Sequence, residues 1–191
     1  MLNPTPQHTV LFTVDDLEKM IDAGVFAHRT GRIELIEGEF RQMSPASDHH
    51  DDLIRVLTMW SVRQQAEEKF EIAVQMGIRL RKTESMPEPD LYWIQSGRHG
   101  RATMQVVPLI IEVSVSSIQY DRNTKGRLYA LDGLPEYWIV DCDQQLIEVR
   151  SQPDGEHFTK LEVFGRGDTL VPQCLPTAKL DIGWLFDSAG F

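Results

Sequence analysis

Apolar positions along the chain switch between a spacing of two and a spacing of three or four, and the switches divide it into alternating strands and helices. Residues 1–12 carry no such rhythm and are expected to form a loose arm. Thr13-Val14-Asp15-Asp16 has the form of a capping box, with Asp in place of the usual Glu, and opens a short helix that Gly24 closes. Ile33–Ile36 and Glu39–Met43 flank Glu37-Gly38, a hairpin signature. Ser44-Pro45-Ala46-Ser47 is a turn, and Leu53, Val56, Leu57 and Trp60 then recur at helical spacing, predicting a long helix over 48–69.

Residues 70–80 predict a strand ending in Ile78-Arg79-Leu80. Two prolines make 83–89 a loop, Leu91–Ile94 a strand, and the glycines at 97 and 100 place a second loop over 95–105. Val106–Val115 is nearly continuous apolar sequence rich in β-branched residues, the pattern of a central strand buried on both faces. Pro108 cannot donate to a ladder and belongs near its start. A helix over 121–131 ends at Gly133, Tyr137–Val140 is a further strand, and Leu146–Arg150 pairs with Phe158–Phe164 across Pro153-Asp154-Gly155. The tail holds short apolar pieces ending at Trp184-Leu185-Phe186. The sum is an α/β (α+β) domain over residues 13–191: a mixed β-sheet flanked by helices, with additional β-hairpins.

Composition narrows the function. A chain of 191 residues with 41% hydrophobic and 25% charged residues suits one globular domain. No apolar run approaches the ~20 residues of a bilayer helix, so no membrane association is expected. The start lacks a basic region followed by an apolar run, and Cys142 and Cys174 show no metal spacing; both point to a reducing, cytoplasmic setting. A net charge of −10 disfavours nonspecific coating of nucleic acid. It is compatible with carboxylates gathered around divalent cations, which are negative until the metal binds. Nothing in the sequence calls for an organic cofactor.

Glu112 is the most informative residue, because it interrupts the apolar run Val107–Val113. A buried carboxylate must be protonated, paired or given a cation. A structural salt bridge and a metal-ligand role are both open. Asp90 follows Pro89 and opens the strand Leu91–Ile94, as a turn cap or as a second carboxylate converging on Glu112. Hard oxygen donors of this kind suit Mg²⁺, or Mn²⁺, better than zinc. On the following helix, Asp121, Lys125 and Tyr129 share one face by the i, i+4 rule. Lys125 then either pairs with Asp121 at the surface or, if the helix folds back on the central strand, reaches the space between the carboxylates.

The order Glu-Leu-Ile-Glu-Gly-Glu (34–39), Met-Ser-Pro (43–45), His50 opening a long helix, Pro-Asp (89–90), Ile-Glu-Val-Ser (111–114), Asp-Arg-x-x-Lys (121–125) and Leu-Pro-Glu-Tyr-Trp-Ile-Val-Asp (134–141) resembles the Uma-two family of restriction endonucleases in the PD-(D/E)XK nuclease superfamily. The resemblance runs from about residue 10 to 186. It implies a restriction-endonuclease-like core and Mg²⁺-dependent hydrolysis of DNA phosphodiester bonds. It also implies Asp90, Glu112 and the backbone carbonyl of Val113 as metal ligands, Lys125 as the catalytic lysine, and Glu34 as an upstream acidic member. His50 matches the family's position at the head of the long helix.

The superfamily motif places its lysine two residues after the Glu, where this chain has Ser114; the lysine has moved to the next helix, as Lys125. Ser114 then either hydrogen-bonds a water or has no role. Arg79, Arg81, Lys82 and Arg122 are the basic candidates for nucleic-acid backbone contact. Restriction-like enzymes usually act as homodimers, so a dimer is expected. The alternative is a non-catalytic nucleic-acid-binding or assembly protein on the same fold.

Overall fold

A computed structural model describes residues 9–43, 47–64 and 69–191; most of the expected arm, the turn residues 44–46 and the helix end over 65–68 lie outside this set. The arm's last residues are tied down: Phe12 N–H donates to the Gly38 carbonyl at 2.9 Å. Helix α1 (Val14–Asp22) starts at the capping box, with Thr13 Oγ1 accepting from Asp16 N–H and Asp16 Oδ2 accepting from Thr13 N–H, each at 3.1 Å. Strands β1 (Ile33–Ile36) and β2 (Glu39–Gln42) form the expected hairpin. Its two turn residues, Glu37 and Gly38, have φ of 52° and 81°, the left-handed pair a tight hairpin demands. A Cβ at Gly38 would lie 2.7 Å from the Leu11 side chain, so only glycine fits there.

Helix α2 (Asp48–Arg63) is capped by Ser47 and stops short of the expected 69. The strand expected over 70–80 is two strands. Gln75, at φ 51°, breaks the run after β3 (Phe70–Val74), and β4 (Ile78–Arg79) leaves for a separate pairing. Strand β5 (Leu91–Gln95) follows the double-proline loop. Within the region expected as loop, β6 (Ala102–Thr103) pairs in parallel with β4. The central strand β7 (Leu109–Ser114) begins just after Pro108 and is buried at every position.

The helix expected over 121–131 begins earlier and is not regular: α3 (Ile118–Tyr120) runs through a π turn, Asp121–Lys125, into α4 (Gly126–Leu131). Strand β8 (Glu136–Asp141) returns parallel to β7. Strands β9 (Leu146–Asp154) and β10 (His157–Phe164) form a hairpin whose turn is Gly155-Glu156, slightly later than expected, with Pro153 and Asp154 still in the strand. Short strands β11 (Thr169–Leu170) and β12 (Leu180–Asp181) lead to α5 (Ile182–Ser188), a helix that absorbs the apolar tail.

The main sheet has the order β10-β9-β8-β7-β5-β3, with β7 and β8 parallel and the other neighbours antiparallel. It is the expected mixed sheet flanked by helices. Side chains alternate across it with period two. Leu91, Trp93, Ile111 and Trp138 face α2 and α5, while Tyr92, Ile110, Tyr137 and Ile139 pack with Leu128 and Tyr129 from α4. Fully burying one such side chain stabilises the fold by roughly 1.5–3 kcal/mol. Glu112 shares the parity of Ile110, so it points toward α4. Among the described residues no helix is long and apolar enough to cross a membrane.

Candidate active site

Chain direction and strand register bring the carboxylates together. The β5–β7 ladder ends at Leu91↔Ile111, and Pro89, which has no N–H, cannot extend it. Asp90 therefore uses its side chain where a strand would use its backbone. Asp90 Oδ2 accepts from Val113 N–H at 2.9 Å, and Asp90 N–H faces Glu112 Oε2 at 3.3 Å. Asp90, just before β5, and Glu112, on β7, thus lie side by side, 5% and 1% exposed.

Lys125 enters from the helical crossover between β7 and β8. Its ammonium donates to Glu112 Oε1 at 2.9 Å and lies 3.6 Å from Glu34 Oε1. Tyr129, one turn on in α4, donates its hydroxyl to the same Glu112 Oε1 at 2.8 Å. Glu34, on β1, also accepts the Glu88 N–H at 2.8 Å, and its second carboxylate oxygen is buried without a hydrogen-bond partner.

The π turn has a visible cause. The Asp121 carbonyl accepts from Gly126 N–H, five residues on, and from the Tyr137 hydroxyl at 3.2 Å. A Cβ at Gly126 would lie 3.3 Å from that carbonyl, so glycine permits the approach. The Asp121 side chain accepts from Ser117 Oγ at 2.6 Å, and Ser117 Oγ is 3.1 Å from Ser114 Oγ. Ser114 thus belongs to a hydroxyl chain linking the end of β7 to Asp121. His50 stands at the head of α2 as expected, with Nε2 3.2 Å from Asp90 Oδ2 and Nδ1 3.3 Å from Asp51 Oδ1.

The electrostatics follow from burial and neighbours. Burial pushes the Glu112 carboxyl up to about 8; the Lys125 charge partly offsets this, and the Asp90 charge adds to it. Burial opposes the Asp90 charge too, yet the His50 hydrogen bond and the Lys125 charge hold Asp90 below the usual carboxylate range. Burial also works against charging Lys125, but Glu112, Glu34 and Asp121 outweigh it and keep the ammonium protonated well beyond its ordinary range. Burial works against charging His50 as well, and Asp90 and Asp51 more than compensate, raising it. Asp121 is raised by burial.

These groups floor a cleft of about 350 Å³ that is also lined by Arg32, Arg41, Gln42 and Tyr120. Sequence reasoning passed over Arg32, Arg41, Ser117 and Tyr120. The one available signal was alternation: Arg32 precedes Glu34 by two, so both belong to one face of the hairpin. Among the described residues no three His, Cys, Asp or Glu side chains converge as a ready-made metal cluster. The donor set is the Asp90–Glu112 pair of hard oxygens, with Asp90 Oδ1 3.9 Å from Arg32 Nη2, beyond hydrogen-bond reach. A carboxylate pair with backbone and water completing the sphere fits an oxygen-seeking divalent cation.

The four basic candidates for backbone contact do not line this cleft, and each is engaged within the protein. Arg79 pairs with Glu18, Arg81 with Asp15, and Lys82 donates to the Leu131 carbonyl. Arg122 pairs with Glu148 and Asp141.

A family described as "Putative restriction endonuclease", Uma2, matches residues 14–183. A crystal structure described as "a putative nuclease belonging to DUF820", from Anabaena variabilis ATCC 29413, is 18% identical. It superposes with a TM-score of 0.71 over 93% of this chain and 99% of that one, which shows a common fold. No curated protein matches the chain.

Proposed function

Because the chain belongs to the Uma2 family, described as "Putative restriction endonuclease", we propose that it is a divalent-metal-dependent endonuclease hydrolysing DNA phosphodiester bonds. The observation that carries this reading is the meeting of Asp90, Glu112 and Lys125, from three separate elements, on the floor of one cleft. Asp90 and Glu112 would hold Mg²⁺ (or Mn²⁺), with the Val113 backbone carbonyl as a third donor beyond the end of the ladder. When bound, the cation supplies polarisation of a phosphoryl oxygen and a lowered pKa for an attacking water.

The protein's own groups do the rest. His50 fixes the rotamer of Asp90 through Oδ2 and leaves Oδ1 toward the cleft. Tyr129 and Lys125 fix Glu112 through Oε1 and leave Oε2 beside Asp90. Glu34 holds Lys125 from the opposite side, in the upstream acidic role. Lys125 orients the nucleophilic water and offsets charge developing on the phosphate. Cutting both strands of a duplex calls for two copies of such a site, so the proposal includes a homodimer.

One observation favours a second reading, a non-catalytic nucleic-acid-binding or assembly protein on this fold. The chain carries a net charge of −10, and Arg79, Arg81 and Arg122, outside the cleft, are tied to internal partners. A supercoiled-plasmid assay with Mg²⁺, Mn²⁺ and chelator separates the two. The endonuclease nicks with metal, and Asp90→Ala and Lys125→Ala do not. Metal-independent or mutation-insensitive nicking sinks the assignment, and no nicking by wild type favours the second reading.

A further inference from the structure

We propose that Arg32, Arg41 and Tyr120 form a phosphoryl-binding subsite on the wall of the cleft, beside the carboxylate pair and distinct from it, which seats a phosphate of the polynucleotide backbone. The proposal deepens the endonuclease reading by giving its substrate a second point of attachment, and it rests on that reading for the identity of the polyanion.

Among the described residues, three donors face this cleft with too few acceptors. Arg32 Nη1 is buried without a hydrogen-bond partner, and Nη2 comes no closer than 3.9 Å to Asp90 Oδ1. The backbone fixes this placement, because Met43 N–H donates to the Arg32 carbonyl at 3.0 Å and prolongs the β1–β2 hairpin. The Tyr120 hydroxyl is likewise buried without a partner. Its ring lies near two cations, with Arg41 Cζ 5.8 Å and Lys125 Nζ 6.0 Å from the centroid. Among the described residues the ion pair of Arg41 is a loose one, 4.0 Å from Glu39, and its side chain is 45% exposed.

A buried donor left unpaired is costly, and native proteins keep few. Two guanidinium forks and a phenol match a group that offers several oxygens in different directions, as a phosphodiester does. A neutral ligand would leave the Arg41 charge with nothing beyond its loose pairing to Glu39. Arg32 does neutralise Asp90 and Glu88, but that role needs neither Arg41 nor the Tyr120 hydroxyl.

The test is fluorescence anisotropy of a fluorescein-labelled DNA duplex against the full chain over a series of salt concentrations, with Ca²⁺ in place of Mg²⁺ to hold off cleavage. Arg32→Met and Arg41→Met should each weaken binding by about tenfold and each flatten the slope of log affinity against log salt, by about one in total for the one phosphate they share. Tyr120→Phe should weaken binding with no change in slope. Lys160→Gln, at the far edge of the sheet on β10, should change neither. Arg41 is half-exposed on a short hairpin, so its variant reports even if the Arg32 variant fails to fold. No binding by wild type, or an unchanged slope in Arg41→Met, overturns the subsite. Plasmid nicking is scored separately: binding as expected without nicking sinks only the catalytic reading, and nicking with an unchanged Arg41→Met slope sinks only the subsite.

Discussion

Lys125 sits 2.9 Å from Glu112 with both side chains shut away from solvent, so neither charge has water to turn to if the other is removed. Breaking such a pair from one side costs about 3–5 kcal/mol. Lys125→Met should lose stability on that scale, measured by urea unfolding above about pH 8, where Glu112 is charged. The loss should shrink when Glu112→Gln is added, because the second change removes the stranded carboxylate. Additive losses in the double variant would contradict the pairing.

Divalent metal should stabilise the folded chain. Binding to the native state alone raises apparent stability in proportion to the logarithm of metal concentration over Kd, about 2.7 kcal/mol at a hundredfold excess over Kd. Thermal unfolding with Mg²⁺ against chelator should show a rising Tm for wild type and a flat one for Asp90→Asn. Equal shifts in both proteins would place the metal elsewhere.

Acid sensitivity should trace in part to Glu148. Burial opposes its charge, but hydrogen bonds from Arg122 and Arg150 outweigh burial and lower its pKa below the ordinary 4.5. A folded-state pKa below the unfolded one means that the unfolded chain binds more protons as pH falls. The stabilisation is therefore present above the unfolded value and is lost as pH drops through the folded one. Glu148→Gln should be less stable than wild type at neutral pH, with a flatter decline between about pH 5 and pH 3. Parallel pH profiles would refute the assignment.

The two thiols should be inert in the native state. Burial pushes both Cys142 and Cys174 up to about 12, so almost no thiolate exists near neutral pH. Iodoacetamide should label neither at about pH 8 in buffer and both in denaturant, read by intact mass. Rapid native labelling of Cys142 would mean that its surroundings open.

Sequence captured the fold where local chemistry decides. The Thr13 capping box, the Glu37-Gly38 turn and the apolar run around Glu112 each carry their own signal, and each took the expected form. It missed features that depend on distant partners. Residues 70–80 look continuous, and the left-handed break at Gln75 leaves no mark in composition. The π turn's Asp121 carbonyl also accepts from the Tyr137 hydroxyl, on a different element. Within the site, Glu112 stood out because a carboxylate inside an apolar strand is anomalous, Asp90 by its place at the head of the next strand over, Lys125 by its helical spacing from Asp121, and the family pattern supplied Glu34 and His50. Arg32 and Arg41 did not stand out, because an arginine beside a hairpin looks like any solvated charge until the packing around it is seen.

Two parallel neighbours such as β7 and β8 cannot be joined by a tight turn, so the chain has to climb back over the sheet before β8 can begin. That return path is the segment that delivers Lys125 and Tyr129. Architecture and chemistry therefore share one stretch of polypeptide, and its length is under double constraint. Deleting a single residue from 121–124 would remove the extra residue that the π turn holds and should draw the Lys125 ammonium away from Glu112, leaving the sheet with its connection.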